Sequence, residues 1–265
     1  MWKQLADRWA LVTGASAGIG AEFARQLAAG GMHLVLTARR LDLMQELAAE
    51  LHARHATRCE IIVADLAEPG GVDLLVRELE SRRIQVDLLV NNAGFGVVGE
   101  IEQTELPRLL ELIRLNISAL TELTYRLLPD MLARNFGAIL NVSSLSGFQP
   151  VAYMGVYAAS KAYVLHFSEA LACEVQHRGV RVCAVCPGVT RTAFFDLAGA
   201  PGWLQKHSSQ SPEQVVRTAL HALGRGRWVV VPGWRNYILT LLVRIASRRR
   251  VVKESTRFFR PRGRK

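Results

Sequence analysis

Tyr157 and Lys161 stand four residues apart in an apolar stretch, Tyr157-Ala158-Ala159-Ser160-Lys161, whose pattern predicts a helix. Side chains at i and i+4 share one face of a helix. A phenol is a weak acid, with an unperturbed pKa of about 10. A neighbouring ammonium favours the phenolate and lowers that value. The pair therefore offers a proton donor and acceptor able to work near pH 7. The same spacing also fits an ordinary helix surface, so other features must decide.

Near the N-terminus, Arg8-Trp9-Ala10-Leu11-Val12-Thr13 reads as a first strand. It breaks into Gly14-Ala15-Ser16-Ala17-Gly18-Ile19-Gly20 and continues with the helical pattern Ala21-Glu22-Phe23-Ala24-Arg25-Gln26-Leu27. Strand, glycine turn and helix form the setting of a dinucleotide site. Glycine permits positive φ and a close backbone approach by a pyrophosphate. The helix N-terminus offers free N–H groups and a positive dipole to phosphate. The spacing is G-x-x-x-G-x-G, not the generic G-x-G-x-x-G.

Thr13-Gly14-x-x-x-Gly18-Ile19-Gly20 with Tyr157-x-x-x-Lys161 resembles the short-chain dehydrogenase/reductase family in its ordinary single-domain form. Further motifs match in order: Asn91-Asn92-Ala93-Gly94 after the apolar run Val86–Val90, then Asn116, then Ser144 thirteen residues before the tyrosine, then Pro187-Gly188-Val189-x-Arg191-Thr192. The resemblance runs from about residue 8 to 232. It implies that Tyr157 exchanges a proton with a carbonyl oxygen and that Ser144 hydrogen-bonds the same oxygen. Lys161 would lower the tyrosine pKa and bind the nicotinamide ribose, and Asn116 would hold a water that links Lys161 to solvent. Pro187 and Gly188 would border the nicotinamide, and Thr192 would bond its carboxamide. Asp65 matches the adenine contact. Gly14, Ser16, Gly18, Ile19, Gly20, Asn92, Ala93 and Gly94 complete the expected cofactor site. A homodimer or homotetramer is the expected assembly.

The elements that would position these groups alternate between strand and helix, which implies a parallel sheet. Strands are expected at about 9–13, 33–38, 59–64, 86–90, 137–143, 180–186 and 227–231. Helices are expected at about 18–29, 40–54, 71–82, 105–134, 155–177 and 211–223, the fourth kinked or broken at Pro129. The fold class is α/β, a Rossmann-like doubly wound sheet with helices on both faces. Ligands in such sheets bind beyond the C-terminal strand ends, where strand order switches, and every motif falls there or on the helix that follows. Residues 1–232 form one catalytic and cofactor-binding domain, and 233–265 a basic extension with one short apolar helix.

Cofactor choice follows from the second strand, Met32-His33-Leu34-Val35-Leu36-Thr37-Ala38-Arg39-Arg40. An enzyme that prefers NAD ends this strand with an acid bonded to the ribose 2′-OH. Ala38 stands in that place and Arg39 follows, a cation whose donor fork suits a 2′-phosphate. NADP is expected, with Arg39 as the main contact and Arg40 and Ser16 as helpers. The C-x-x-C of Cys183 and Cys186 lies in a strand pattern that puts the two on opposite faces, so they are packing thiols and no metal site is expected.

The resemblance implies a substrate lid after Thr192, and its apolar residues, with Phe95, Val97, Val98, Leu145, Phe148 and Tyr153, suit either a pocket for a hydrophobic ketone, a steroid-like molecule or a 3-oxoacyl group, or a lid that simply packs on the core. Tyr153 and Ser143 serve as lining or packing residues. Of the net charge of +10, the segment from Arg225 to Lys265 carries +12 and the remainder −2. Its stripe Ile238, Leu241, Leu242 and Ile245 predicts a helix that buries against the body, a second subunit or a membrane interface. Its expected role is docking, outside the chemistry, and no nucleic-acid reading module accompanies it. The N-terminus has no signal-peptide core, so a cytoplasmic location is expected, peripheral at the membrane if the tail binds lipid. The best reading is an NADP-dependent oxidoreductase; the alternative is a non-catalytic dinucleotide-binding sensor or scaffold.

Overall fold

The computed structural model describes residues 5–206 and 208–260; Arg262, Arg264 and Lys265 of the basic tail lie outside them. Seven strands form one parallel sheet: β1 (Trp9–Thr13), β2 (His33–Ala38), β3 (Cys59–Val63), β4 (Val86–Asn91), β5 (Gly137–Val142), β6 (Val180–Val185) and β7 (Val229–Val230). Their order is β3-β2-β1-β4-β5-β6-β7, so the chain reverses direction across the sheet between β1 and β4. Thr13 pairs with Thr37 and Val12 with Val90, which brings the C-terminal ends of β1, β2 and β4 level at that switch. The seventh strand is shorter than its apolar run suggested: only Val229 and Val230 pair, with Ala184 and Val185, before Pro232 and Gly233 end the edge.

Helices cover both faces. Alternate residues of the central strands point to opposite sides, and each side has its own core. On one side Val12, Leu36, Val90 and Leu140 meet α1 (Gly18–Ala29), α2 (Leu41–His55) and α8 (Pro212–Gly224) through Phe23, Met44 and Val216. On the other, Leu11, Val35, Leu89 and Ile139 meet α3 (Gly71–Ser81), α5 (Leu120–Ala133) and α6 (Gly155–Val175) through Leu75, Leu123 and Leu171. Burial at about 25 cal/mol per Å² of apolar surface makes these two layers the main source of stability. Cys183 belongs to the first core and Cys186 to a smaller cluster around Leu165. Burial pushes both thiols up to about 12, which leaves them unreactive at neutral pH.

The expected helix 105–134 is interrupted, but not at Pro129. α4 (Leu106–Ile113) passes into a π-helical turn, Arg114–Ala119, and then into α5, which runs through Pro129 unbroken. Proline removes the bond to the carbonyl four residues back, here that of the exposed Tyr125, where solvent can replace it. The π turn carries Asn116, and such turns concentrate at functional sites.

The C-terminal segment also differs from expectation. The apolar helix α9 (Trp234–Ile245) is followed by a second helix, α10 (Arg248–Phe259), and both pack on the body. Asn236 Nδ2 donates to Gln210 Oε1 at 3.0 Å, and Ala152 N donates to Ser255 Oγ at 3.0 Å. Beside them lies the lid, a short helix α7 (Phe194–Leu197) and the turn after it.

Candidate active site

Thr13 ends β1 and organises the glycine turn. Its hydroxyl donates to Val90 O and accepts from Asn92 N and Ala93 N, the last two at 2.9 Å. Asn92 Nδ2 donates to Thr13 O at 2.9 Å and to Gly14 O at 3.3 Å. The Asn92 amide nitrogen therefore supports the turn, while the residue still lines the cleft. Gly14 and Gly18 hold φ of +64° and +57°, and a Cβ on Gly18 would press on the Thr192 methyl. Gly20 needs no Cβ for another reason: one would collide with the Gly14 carbonyl oxygen.

A cleft of about 1110 Å³ runs from this turn across the strand ends to the lid. Gly14, Ser16, Gly18, Ile19, Arg39, Asp65, Asn92, Ala93, Gly94, Ser144, Tyr157, Lys161, Pro187, Gly188 and Thr192 all line it. Gly20 and Asn116 do not; they stand behind its wall. Asn116 Nδ2 donates to Phe95 O and to Ser160 Oγ, both at 3.0 Å, while its Oδ1 accepts from Phe95 N. With both amide hydrogens committed, a water held here would donate to Asn116 and not accept from its side chain. Its role is to pin the Gly94–Phe95 loop against α6.

Ser144 caps a 3₁₀ turn, accepting from Ser146 N at 3.1 Å, and lines the cleft with Tyr157. Ser143 instead donates to Lys161 O at 2.7 Å, a packing role as expected. The Lys161 ammonium donates to Val142 O at 2.8 Å and lies 5.8 Å from the Tyr157 ring centre. The electrostatics depart from the simple pair. Burial pushes Tyr157 up to about 12, against a smaller opposite pull from Ser144. Burial draws Lys161 down to about 8. The expected lowering of the phenol fails because both groups are desolvated, and the lysine is itself drawn toward its neutral form.

At the far end of β2, Arg39 Nη1 lies 3.4 Å from Asp65 Oδ2 and 3.5 Å from Glu111 Oε1. Arg40 Nη2 donates to Ser16 Oγ at 3.0 Å, bringing its charge onto the glycine turn. Asp65 also accepts from Ala67 N at 2.9 Å. Thr37 was not anticipated. It lines the cleft, is fully buried, and its hydroxyl has no hydrogen-bond partner. A polar residue at the C-terminal end of an otherwise apolar parallel strand was the available signal.

A family model described as short chain dehydrogenase matches residues 8–200. The chain belongs to the short-chain dehydrogenase family. A very-long-chain 3-oxoacyl-CoA reductase of Anas platyrhynchos is 33% identical over 221 residues, 82% of this short-chain dehydrogenase and 69% of that protein. A short-chain dehydrogenase from Sphingobium yanoikuyae, solved in complex with NADPH, superposes with a TM-score of 0.80 at 32% identity, covering 91% of this chain and 96% of that one. A solved 7β-hydroxysteroid dehydrogenase gives 0.86 at 26% identity, covering 96% and 98%. The chain is thus an oxidoreductase-family member whose relatives act on alcohol and carbonyl groups, and a nicotinamide dinucleotide fits the glycine turn, Thr37 and Arg40.

The end of the cleft beyond Tyr157 is built by three parts of the chain. Phe95, Leu145 and Phe148 line the cleft as expected, whereas Val97 and Tyr153 line a separate cavity of about 350 Å³. Val98 instead ties to the lid, donating from its N to Ala198 O at 2.9 Å. Phe194 leans on Tyr157 with centroids 5.3 Å apart. Phe195, Trp203 and Phe259 stack, and Trp203 Nε1 donates to Phe258 O at 2.9 Å. Leu239, Leu242, Val243, Val251 and Phe259 of the C-terminal helices line the cleft too. The extension is therefore a wall of the cleft, a place its sequence did not reveal.

Proposed function

We propose that this protein is an NADP(H)-dependent oxidoreductase that interconverts a carbonyl and a secondary alcohol on a hydrophobic substrate. The observation that carries the reading is that Ser144, Tyr157 and Lys161 line one cleft, between a dinucleotide-type glycine turn and an aromatic, aliphatic pocket. In reduction the phenol gives its proton to the substrate oxygen as the C=O π bond opens, and Ser144 hydrogen-bonds the same oxygen as charge develops on it. The bound nicotinamide supplies or accepts the hydride. With its pKa raised to about 12, Tyr157 is protonated at neutral pH, which suits it to the reductive direction. Lys161, near 8, can return a proton to the phenol and hydrogen-bond the ribose.

NADP over NAD is favoured because Ala38 replaces the acid and two arginines follow it, with Arg40 already joined to Ser16. The pocket favours a bulky apolar substrate, a steroid-like ketone or a 3-oxoacyl group, in line with the relatives. A homodimer or homotetramer belongs to the same reading. The test is a panel of hydrophobic ketones with NADPH and NADH, followed by nicotinamide absorbance. Tyr157→Phe should lose turnover at least a hundredfold, the usual scale of general acid catalysis, with the NADPH dissociation constant unchanged. Wild-type turnover in that variant would overturn the mechanism.

A further inference from the structure

We infer that α9 and the start of α10 dock the protein on an anionic lipid bilayer, and that the substrate cleft opens onto that surface. α9 is apolar on two sides. Leu239 and Leu242 line the cleft yet are about half exposed, 51% and 49%, which places them at its rim. Trp234, Ile238, Leu241 and Ile245 point away from the body, with Trp234 and Ile245 at 70% and 82% exposure. A contiguous apolar face of this kind on a monomer marks an interaction surface. Around it stand Arg235, Arg244, Arg248 and Arg249, all exposed. Arg235 lies over the Trp234 ring, 5.3 Å from its centre. The one acid between Arg225 and Arg260 is Glu254, and Arg257 holds it at 2.8 Å.

The charge decides among occupants. A second copy packed by twofold symmetry would set this same surface against itself and bring two sets of arginines together without a carboxylate between them. An anionic bilayer accepts the apolar face at its acyl boundary and the arginines at its headgroups. Trp234 and Tyr237 supply the amphipathic rings favoured at that depth. Among the described residues no helix is long and apolar enough to cross a membrane, so the contact is in-plane. The proposal adds a partner to the oxidoreductase reading: an apolar substrate dissolved in lipid meets the rim at Leu239 and Leu242 without passing through water.

The test is co-sedimentation of the full chain with phosphatidylcholine vesicles, with and without phosphatidylglycerol. Pelleting should require phosphatidylglycerol and weaken as salt rises from about 0.1 M, where screening acts over about 10 Å. Arg248→Gln/Arg249→Gln should lose roughly tenfold or more in vesicle affinity, at about 1 kcal/mol per cation. Ile238→Ser/Ile245→Ser should abolish pelleting while leaving Tm unchanged, since neither side chain lines the cleft. Absence of wild-type pelleting, or pelleting indifferent to both double variants, overturns the proposal. So does a lipid-free dimer that the isoleucine variant dissolves in place of vesicle binding, the signature of a second copy. Vesicle binding is read without turnover, so loss of the docking idea leaves the oxidoreductase reading intact, and the reverse holds.

Discussion

Replacing Lys161 by methionine should stabilise the fold at pH 7 while removing a group the chemistry needs. Burial draws the ammonium from its ordinary 10.5 to about 8. At 1.36 kcal/mol per pH unit, that gap means folding disfavours the charged lysine by about 3 kcal/mol at neutral pH. Methionine keeps an unbranched stem and carries no charge. It forfeits the bond from Nζ to Val142 O, at a cost of about 1 kcal/mol. The net gain is about 2 kcal/mol, or roughly 4–8 °C in Tm for a chain of this size. The gain has a pH signature. Between about 8 and 10.5 the unfolded wild type still binds the lysine proton and the folded form does not, so wild-type stability rises with pH relative to the variant. Urea unfolding of both proteins at pH 7 and pH 10, without added cofactor, reads the difference directly. It should shrink by about 2–3 kcal/mol at the higher pH, because Tyr157, Cys183 and Cys186 titrate in both proteins and cancel. A variant less stable at pH 7, or a difference that does not change with pH, would refute the claim that Lys161 is held against its own desolvation.

Two further outcomes test the ends of the cleft. Ala38→Asp/Arg39→Ser should shift the ratio of NADPH to NADH dissociation constants by at least about tenfold, since a charge-assisted phosphate bond is worth roughly 1.5–3 kcal/mol; Arg40→Gln should weaken NADPH binding and spare NADH, and a wild type that prefers NADH would refute both. Phe259→Ala removes one member of the Phe195–Trp203–Phe259 stack and should lower stability by about 1–2 kcal/mol while raising KM for a bulky ketone more than it lowers kcat; an unchanged KM would show that α10 is no part of the pocket.

Local chemistry made much of the site legible. Gly14 and Gly18 signal themselves because the turn demands positive φ, and the helix α8 announces its start through Ser211, which accepts from Gln214 N, and Pro212 behind it. Strand C-termini cluster because a parallel sheet puts them there. What the sequence hid depends on partners far along the chain. That the Asn92 amide nitrogen braces the glycine turn depends on Thr13 and Gly14, more than seventy positions earlier. That Asn116 pins the loop after β4 depends on Phe95 and Ser160, likewise distant in sequence. The tyrosine–lysine spacing predicts attraction between charges, but the sign of the Tyr157 shift is set by desolvation, which no pairwise spacing encodes. Pro129 suggests a break in its helix, yet the irregular turn lies around Asn116, which holds the loop after β4.

The tail shows the limit most clearly. Its apolar stripe said only that the helix must cover something; Ser255 reaching Ala152 and Phe259 stacking on Trp203 say what. The family match ends at residue 200, so it spans the glycine turn, Ser144, Tyr157, Lys161 and Thr192, the groups that bear on the reaction. Trp203, Leu239, Leu242, Val251 and Phe259, which shape the substrate end, lie beyond it. Two members can therefore share every reacting group and still differ along this wall of the cleft. Transplanting residues 201–260 from a relative of known substrate should carry specificity with it more faithfully than any exchange within the matched region.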